Sequence, residues 1–350
     1  MYCLVSVIMT NWVEYDKEYR VLRPRIFESP DPLSFRHSTL LEKSYGYVLV
    51  IDWDGGRILA AKQLPKPLGF AVRDGLLYVA TWGGEDIRAL RGDEVAHRFQ
   101  HPWFNELHSI DATPEGFLVT SSGTDLIAEL DMQGQIIWEY FLFEHGFSRN
   151  EYRLAESFKR SESYNHRHLP SNLGLHVNSA ILVDQDTVLA TVFRSNELVR
   201  IDRGSGEAET ILRGLRRPHS IRRRENGGYL LTNTEAGEAI LLDAELRREG
   251  VIPIPMPSIQ DTMIVGDRVM SVGGPKMPSG PTESELEVNI GRPTGMLELT
   301  LDGVLVKRLD LGPEHRLYQV EPIERDNALT FAEAWNHSGF EKIPARWYSD

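Results

Sequence analysis

One theme recurs along this chain at intervals near forty residues. The segments VLVIDWDGG (48–56), IRALRGDEV (87–95), IAELDMQGQ (127–135), LVRIDRGSG (198–206) and AILLDAELR (239–247) share it. Each is an alternating apolar strand that ends near an Asp or Arg and runs into a turn. Anchored at Asp52, Arg91, Asp131, Asp202 and Asp243, the copies are spaced by 39, 40, 71 and 41 residues, and a sixth, LELTLDGVL (297–305), follows 59 after the fifth. Units of this length holding several short strands are propeller blades. A single blade cannot bury both of its faces, so blades must close into a ring. The expectation is an all-β, six-bladed β-propeller, read as one domain over residues 1–350.

Each unit follows the same grammar of four strands separated by Gly, Asp or Asn turns. Residues 107–140 show it whole: LHSIDA, turn, FLVTSS, link, LIAELD, turn, QIIWEY. Two long insertions interrupt the array, at 143–173 and at 274–293. The first contains a stretch able to form a short polar helix and is read as a lid over one end of the ring. Loops of that length in a compact array are usually functional or mobile. The chain ends suggest a closing blade. YQVEPI (318–323) and ALTFAEAW (328–335) would supply its first two strands and 46–64 its last two, leaving no exposed edge. Residues 1–45 would add a strand to this sheet or cap one face.

Composition narrows the partners. The formal net charge is −13, which makes a nucleic-acid backbone an unsuitable partner. Cys3 is the single cysteine, so no internal disulfide forms. The apolar run Tyr2 to Met9 lacks a basic leader and a cleavage site, and no run approaches the ~18 apolar residues of a membrane span. The expectation is a cytoplasmic protein acting on a small molecule, aromatic or anionic, with the oligomeric state left open.

Three consecutive blades place a histidine at the same register: His108 (ELHSI), His176 (GLHVN) and His219 (RPHSI). Each opens the innermost strand, and in a propeller those strand starts converge. A shared structural role accounts for one such His. Three in succession point to a site, since imidazole serves acid–base, nucleophilic and metal chemistry near neutral pH. Asp261 (IQDTMI) takes the place in the next blade, Gly69 in the second and Gln319 in the closing one. Arg194 opens a link at the same end, where other blades have Gly123 and Glu235, and an Arg beside imidazoles suits an anionic oxygen cluster.

At this point GLHVNSAILVDQDTVLATVFRSNELVRID resembles the active-site segment of the bacterial aryl sulfotransferases that do not use the adenylyl sulfate (PAPS) donor. That family has six-bladed propellers and a His-Val-Asn-Ser turn followed by an Arg eighteen residues after the His, here His176 and Arg194. LHSIDATPEGFLVTSS and LIAELDMQGQIIWEY are similar to an earlier blade of that family, and RRPHSIRRRENGGYLLTNT to a later one. The resemblance covers about 107–243. It implies ping-pong transfer without a metal: His219 attacks the sulfur of an aryl sulfate, Arg194, His108 and His176 neutralise the sulfuryl oxygens, and Asn178 orients His176. The chain departs from the family in size and in having one Cys.

Two other readings stand beside it. His108, His176, His219 and Asp261 could ligate a divalent transition metal, Fe, Mn or Zn, for oxygenation, hydrolysis or a lyase step. A propeller can also serve as a binding scaffold without catalysis. Four further residues are candidate substrate contacts. Trp82, Trp335 and His337 sit near the expected channel mouth, where an aromatic substrate would stack, and His168, with His166, lies in the first insertion.

Overall fold

The apolar runs form strands because their neighbours supply a buried surface on both sides. The computed structural model describes residues 1–8, 10–11, 14–15, 17–18, 21, 25, 29, 44–147, 154–167, 174–275, 294–312, 314–335 and 345–349. It is a six-bladed β-propeller of six antiparallel sheets. Blade 1 contains β1 (Tyr2–Val7), β2 (Gly46–Asp52) and β3 (Arg57–Leu64). Blade 2 is β4 (Pro67–Arg73), β5 (Leu76–Thr81), β6 (Asp86–Arg91) and β7 (Glu94–Gln100). Blade 3 is β8 (Leu107–Ala112), β9 (Gly116–Ser121), β10 (Leu126–Asp131) and β11 (Ile136–Phe141). Blade 4 is β12 (Val177–Leu182), β13 (Thr187–Val192), β14 (Glu197–Asp202) and β15 (Ala208–Leu212). Blade 5 is β16 (Pro218–Arg223), β17 (Tyr229–Asn233), β18 (Glu238–Leu242) and β19 (Arg248–Pro253). Blade 6 is β20 (Ser258–Val265), β21 (Arg268–Gly274), β22 (Gly295–Thr300) and β23 (Leu305–Asp310). The strand β24 (Leu317–Ile323) returns to blade 1, and β25 (Arg346–Ser349) adds a fifth strand to blade 6.

The described residues fall into two compact units, one holding blades 2, 3 and 4 and the other blades 1, 5 and 6. Within a unit, alternate residues of a strand pack against opposite neighbours. On β9, Phe117 and Val119 join the core shared with blade 2, while Leu118 joins the core shared with blade 4. On β10, Leu126, Ala128 and Leu130 face one way and Ile127 the other. In the other unit, Met270 and Val272 of β21 pack toward blade 1, and Val269 packs toward blade 5. The period of two is intact, but both faces are apolar.

The repeated Asp has a local cause. Asp131 Oδ1 accepts the Gln133 and Gln135 amides at 2.9 and 2.8 Å, and Asp202 Oδ1 accepts the Ser205 amide at 2.7 Å. These are side-chain-closed turns. The Ser205 amide and hydroxyl hold the Asp202 carboxyl below its ordinary range.

The closing blade differs from expectation in one strand. Its order is β24-β1-β2-β3, so the second strand is β1, and residues 328–335 belong to α2 (Arg325–Trp335). The stretch NALTFAEAW is rich in helix formers, and it buries Ala328, Phe331 and Trp335 at spacings of three and four, one face of a helix. Residues 1–45 do add a strand to this sheet. The first insertion carries a short helix, α1 (Leu154–Ser157), and docks against blade 3 through Phe158 and Tyr164 beside Trp103 and Phe143. Most of the second insertion lies outside the described residues.

Candidate active site

Four consecutive blades open with a non-glycine residue in the left-handed region: Lys66 (φ 49°), Glu106 (φ 53°), His176 (φ 62°) and Arg217 (φ 54°). Backbone bonds fix the equivalence. The carbonyls of Lys66, Glu106 and His176 accept the amides of Trp82, Ser122 and Phe193. His176 therefore shares its register with Glu106, whereas His108 and His219 stand two residues further on. Blade 4 has Asn178 at that second position, because the Ser109 amide bonds Thr120 Oγ1 as the Ser179 amide bonds Thr191 Oγ1. The common Leu-His pair of LHSIDA and LHVNSA hides this offset of two. Likewise Gly69 stands at the Ser109 position. A Cβ on Gly69 would lie 2.6 Å from the His108 carbonyl oxygen, so glycine is required by close approach.

In the unit of blades 2 to 4 these registers build a buried polar cluster. The rings of His108 and His176 meet edge to face, 4.7 Å between centroids at 83°. Glu106 Oε2 lies 3.8 Å from His176 Nδ1. His108 Nδ1 donates to the Glu106 carbonyl at 2.7 Å. A carbonyl only accepts, so Nδ1 carries the proton and in the neutral ring Nε2 carries the lone pair. His176 also packs against Phe193, 5.3 Å away. Asn178 is fully buried, and its carbonyl accepts from Thr120 Oγ1 at 3.0 Å.

Charge in this cluster is set by burial. Lys66 and Glu85 are wholly buried, and Glu106 and Asp125 nearly so. Burial pushes the Glu106 carboxyl up to about 8, against the pull of Lys66 and Arg194. Burial also raises Glu85 well above its ordinary value, and the neighbouring Glu106 adds to the effect. Asp125 is raised to about 6 by burial, opposed by the amides of Leu175 and His176 and by Arg194. At neutral pH the site thus holds a protonated Glu106 under the fields of Lys66 and Arg194, and an ionised Asp125 near Arg194. The arrangement can donate and accept protons and can receive an anionic group.

In the unit of blades 1, 5 and 6, His219 Nδ1 contacts Thr234 Oγ1 at 2.7 Å and the Arg217 carbonyl at 3.3 Å, and its ring lies 6.5 Å from Tyr318. Burial raises the Tyr318 hydroxyl, helped by Asp261. Asp261 is committed to Arg222, whose Nε donates to Asp261 Oδ1 at 2.8 Å while the same guanidinium reaches Glu321 at 2.6 Å. The Val320 amide donates to the other Asp261 oxygen at 3.1 Å. A guanidinium thus occupies the carboxylate considered as a metal ligand. Among the described residues no group of three or more His, Cys, Asp or Glu side chains is placed to hold a metal ion.

The remaining candidates divide. Trp82 is buried against Tyr15, ring centroids 5.7 Å apart, with Lys66 Nζ 5.0 Å from its ring centre. Its indole N–H has no hydrogen-bond partner among the described residues. Trp335 is fully buried and stacks on Phe331 along α2, so it is a packing residue rather than a substrate contact at a channel mouth. His168 and His337 lie outside the described residues. The sequence reading missed Lys66, Glu85, Glu106 and Asp125. Their one signal was a charged residue just before a first strand or inside a link, and charge at such places ordinarily means solvent.

No family model and no curated protein matches the chain. Solved structures similar to it include a protein of unknown function from Bacteroides caccae, with a TM-score of 0.53 and 14% identity over 74% of this chain and 88% of that one. A chain of a nidogen/laminin complex has a TM-score of 0.52 and 11% identity over 91% and 97%. Virginiamycin B lyase from Staphylococcus aureus has a TM-score of 0.45 and 13% identity over 93% and 90%. At such identities the first two likenesses show a shared propeller fold and leave the chemistry to the site itself.

Proposed function

We propose that this protein is a small-molecule enzyme that uses acid–base chemistry on an anionic substrate at the cluster of Lys66, Glu106, His108, His176 and Arg194. One observation carries the reading: the Glu106 carboxyl, buried and neutral at pH 7, lies 3.8 Å from the His176 imidazole beneath two cations. A neutral acid next to an imidazole is a proton-transfer pair. Lys66 and Arg194 supply the field that would hold an anionic group.

Aryl sulfates are the substrate class that the sequence resemblance brings to this site. Arg194 would meet the sulfuryl oxygens, Glu106 would protonate the departing phenolate as its S–O bond breaks, and the acceptor phenol would form the new S–O bond as it gives its proton to His176. The test is phenol release from 4-nitrophenyl sulfate with a phenol acceptor present. E106Q and H176N should each lower kcat about 100-fold, the scale of a lost general acid or base. Turnover unchanged in both variants would end the reading.

A second reading, transfer through a covalent sulfo-histidine on His219, draws support from the Arg217 carbonyl at His219 Nδ1, which only accepts and so leaves the proton on Nδ1. That contact would direct attack through Nε2. Labelled sulfate retained on the parent protein and absent from H219N is the expected result. Label retained equally by H219N would rule it out.

A further inference from the structure

Glu106 and His176 both sit on strained backbone, and a carboxyl from the preceding blade holds each one. The Glu106 amide donates to Glu85 Oε2 at 2.8 Å. The His176 amide donates to Asp125 Oδ1 at 2.6 Å, and the Leu175 amide donates to Oδ2 of the same carboxylate at 2.6 Å. Glu85 and Asp125 occupy equivalent places, in the links β5–β6 and β9–β10, and are themselves left-handed with φ of 47° and 52°. Left-handed non-glycine residues cost roughly 1–3 kcal/mol each and persist where their surroundings over-determine them.

At the next junction the residue equivalent to Asp125 is Asn196, a neutral side chain, and the Arg216 amide, equivalent to that of Leu175, donates to Asn233 Oδ1 at 2.6 Å. The acids are therefore not a blade requirement. Gly174 is a second mark of the same device. A Cβ there would sit 2.4 Å from Asp125 Oδ2, so the chain omits a side chain where the carboxylate enters.

We propose that Asp125 and Glu85 are positioning residues, which aim the His176 and Glu106 side chains by clamping the amides of those two residues. The inference rests on the reading that Glu106 and His176 carry the acid–base chemistry. In this role Asp125 works through both oxygens at once, which asparagine cannot do. The groups that face Asp125 are the amides of Leu175, His176 and Val177 and the Arg194 guanidinium. Those that face Glu85 are the Glu106 carboxyl and amide, Lys66 and Asp86.

Two substitutions disturb the Asp125 clamp by different routes. D125N keeps the shape and loses one acceptor, while G174A keeps the charge and pushes the carboxylate aside. Amide hydrogen exchange in the full chain reads the clamp directly, and turnover of 4-nitrophenyl sulfate reads its consequence. Both variants should speed exchange at Leu175 and His176 about tenfold, the value of a hydrogen bond to a charged group. Both should lower kcat about 10–100-fold, as small misplacements of catalytic groups do, with KM within about twofold. D125E should recover part of the loss, and E85A, which removes the one acceptor that the Glu106 amide uses, should produce the same pattern at Glu106. D125N, being nearly isosteric, carries the test should G174A fail to fold. Exchange unchanged at Leu175 and His176 would overturn the clamp. Faster exchange with kcat unchanged would overturn the positioning role. A parent protein with no turnover would count against the proposed enzyme, and exchange at His176 would still decide the clamp.

Discussion

Glu106 couples the fold to pH. In the unfolded chain it releases its proton near 4.5, and in the folded chain it holds it to about 8. Between those values the folded state binds more protons than the unfolded one. Its contribution is fully present below about 4.5 and is lost as pH rises toward 8. Asp125, raised to about 6, acts in the same direction over a narrower window. E106Q replaces the acid with a neutral amide. Its stability relative to the parent should therefore rise between pH 5 and 8, by on the order of a few kcal/mol. Urea midpoints at three pH values check this, and an equal pH slope in both proteins would contradict it. The histidines were legible from their position after Leu or Pro at a strand start. Glu106 was not, because a glutamate beside a turn reads as solvated until a neighbouring blade covers it.

Turns and links do most of the local specification. Asp131 closes its turn by accepting two amides, so D131A should cost about 1–2 kcal/mol and lower the urea midpoint at constant m-value. A midpoint within error of the parent would show that the side chain is dispensable there. Such turns are readable because a short polar residue acts on amides two to four positions away. The helix α2 was misread for the converse reason. ALTFAEAW alternates enough to pass for a strand, and only the burial of Ala328, Phe331 and Trp335 on one side establishes the helical period. The offset of His176 from His108 is another such case. Beside both residues the pairing of the first two strands shifts register, at Leu107/Ile110 and Val177/Ser179, and nothing in LHVNSA marks how the chain crosses that irregularity.

At the scale of the molecule, the closing blade ties distant segments together. β1 lies between β24 and β2, with Leu4 facing Glu321 on one side and Val50 on the other. Leu4 is fully buried, so L4A should cost about 2–5 kcal/mol, whereas V304A, at an exposed turn, should stay within about 0.5 kcal/mol. Thermal unfolding of both variants checks the contrast, and equal melting temperatures would deny β1 its role in closure. The sequence by itself determined the blade count, the all-β class and the turn positions, since strand period and turn chemistry act over a few residues and repeat. The tertiary structure alone decided which charged groups share a buried niche. Lys66, Glu85, Glu106, Asp125 and His176 come from three blades, and the Glu106 and His176 amides are held by carboxyls that the preceding blade supplies.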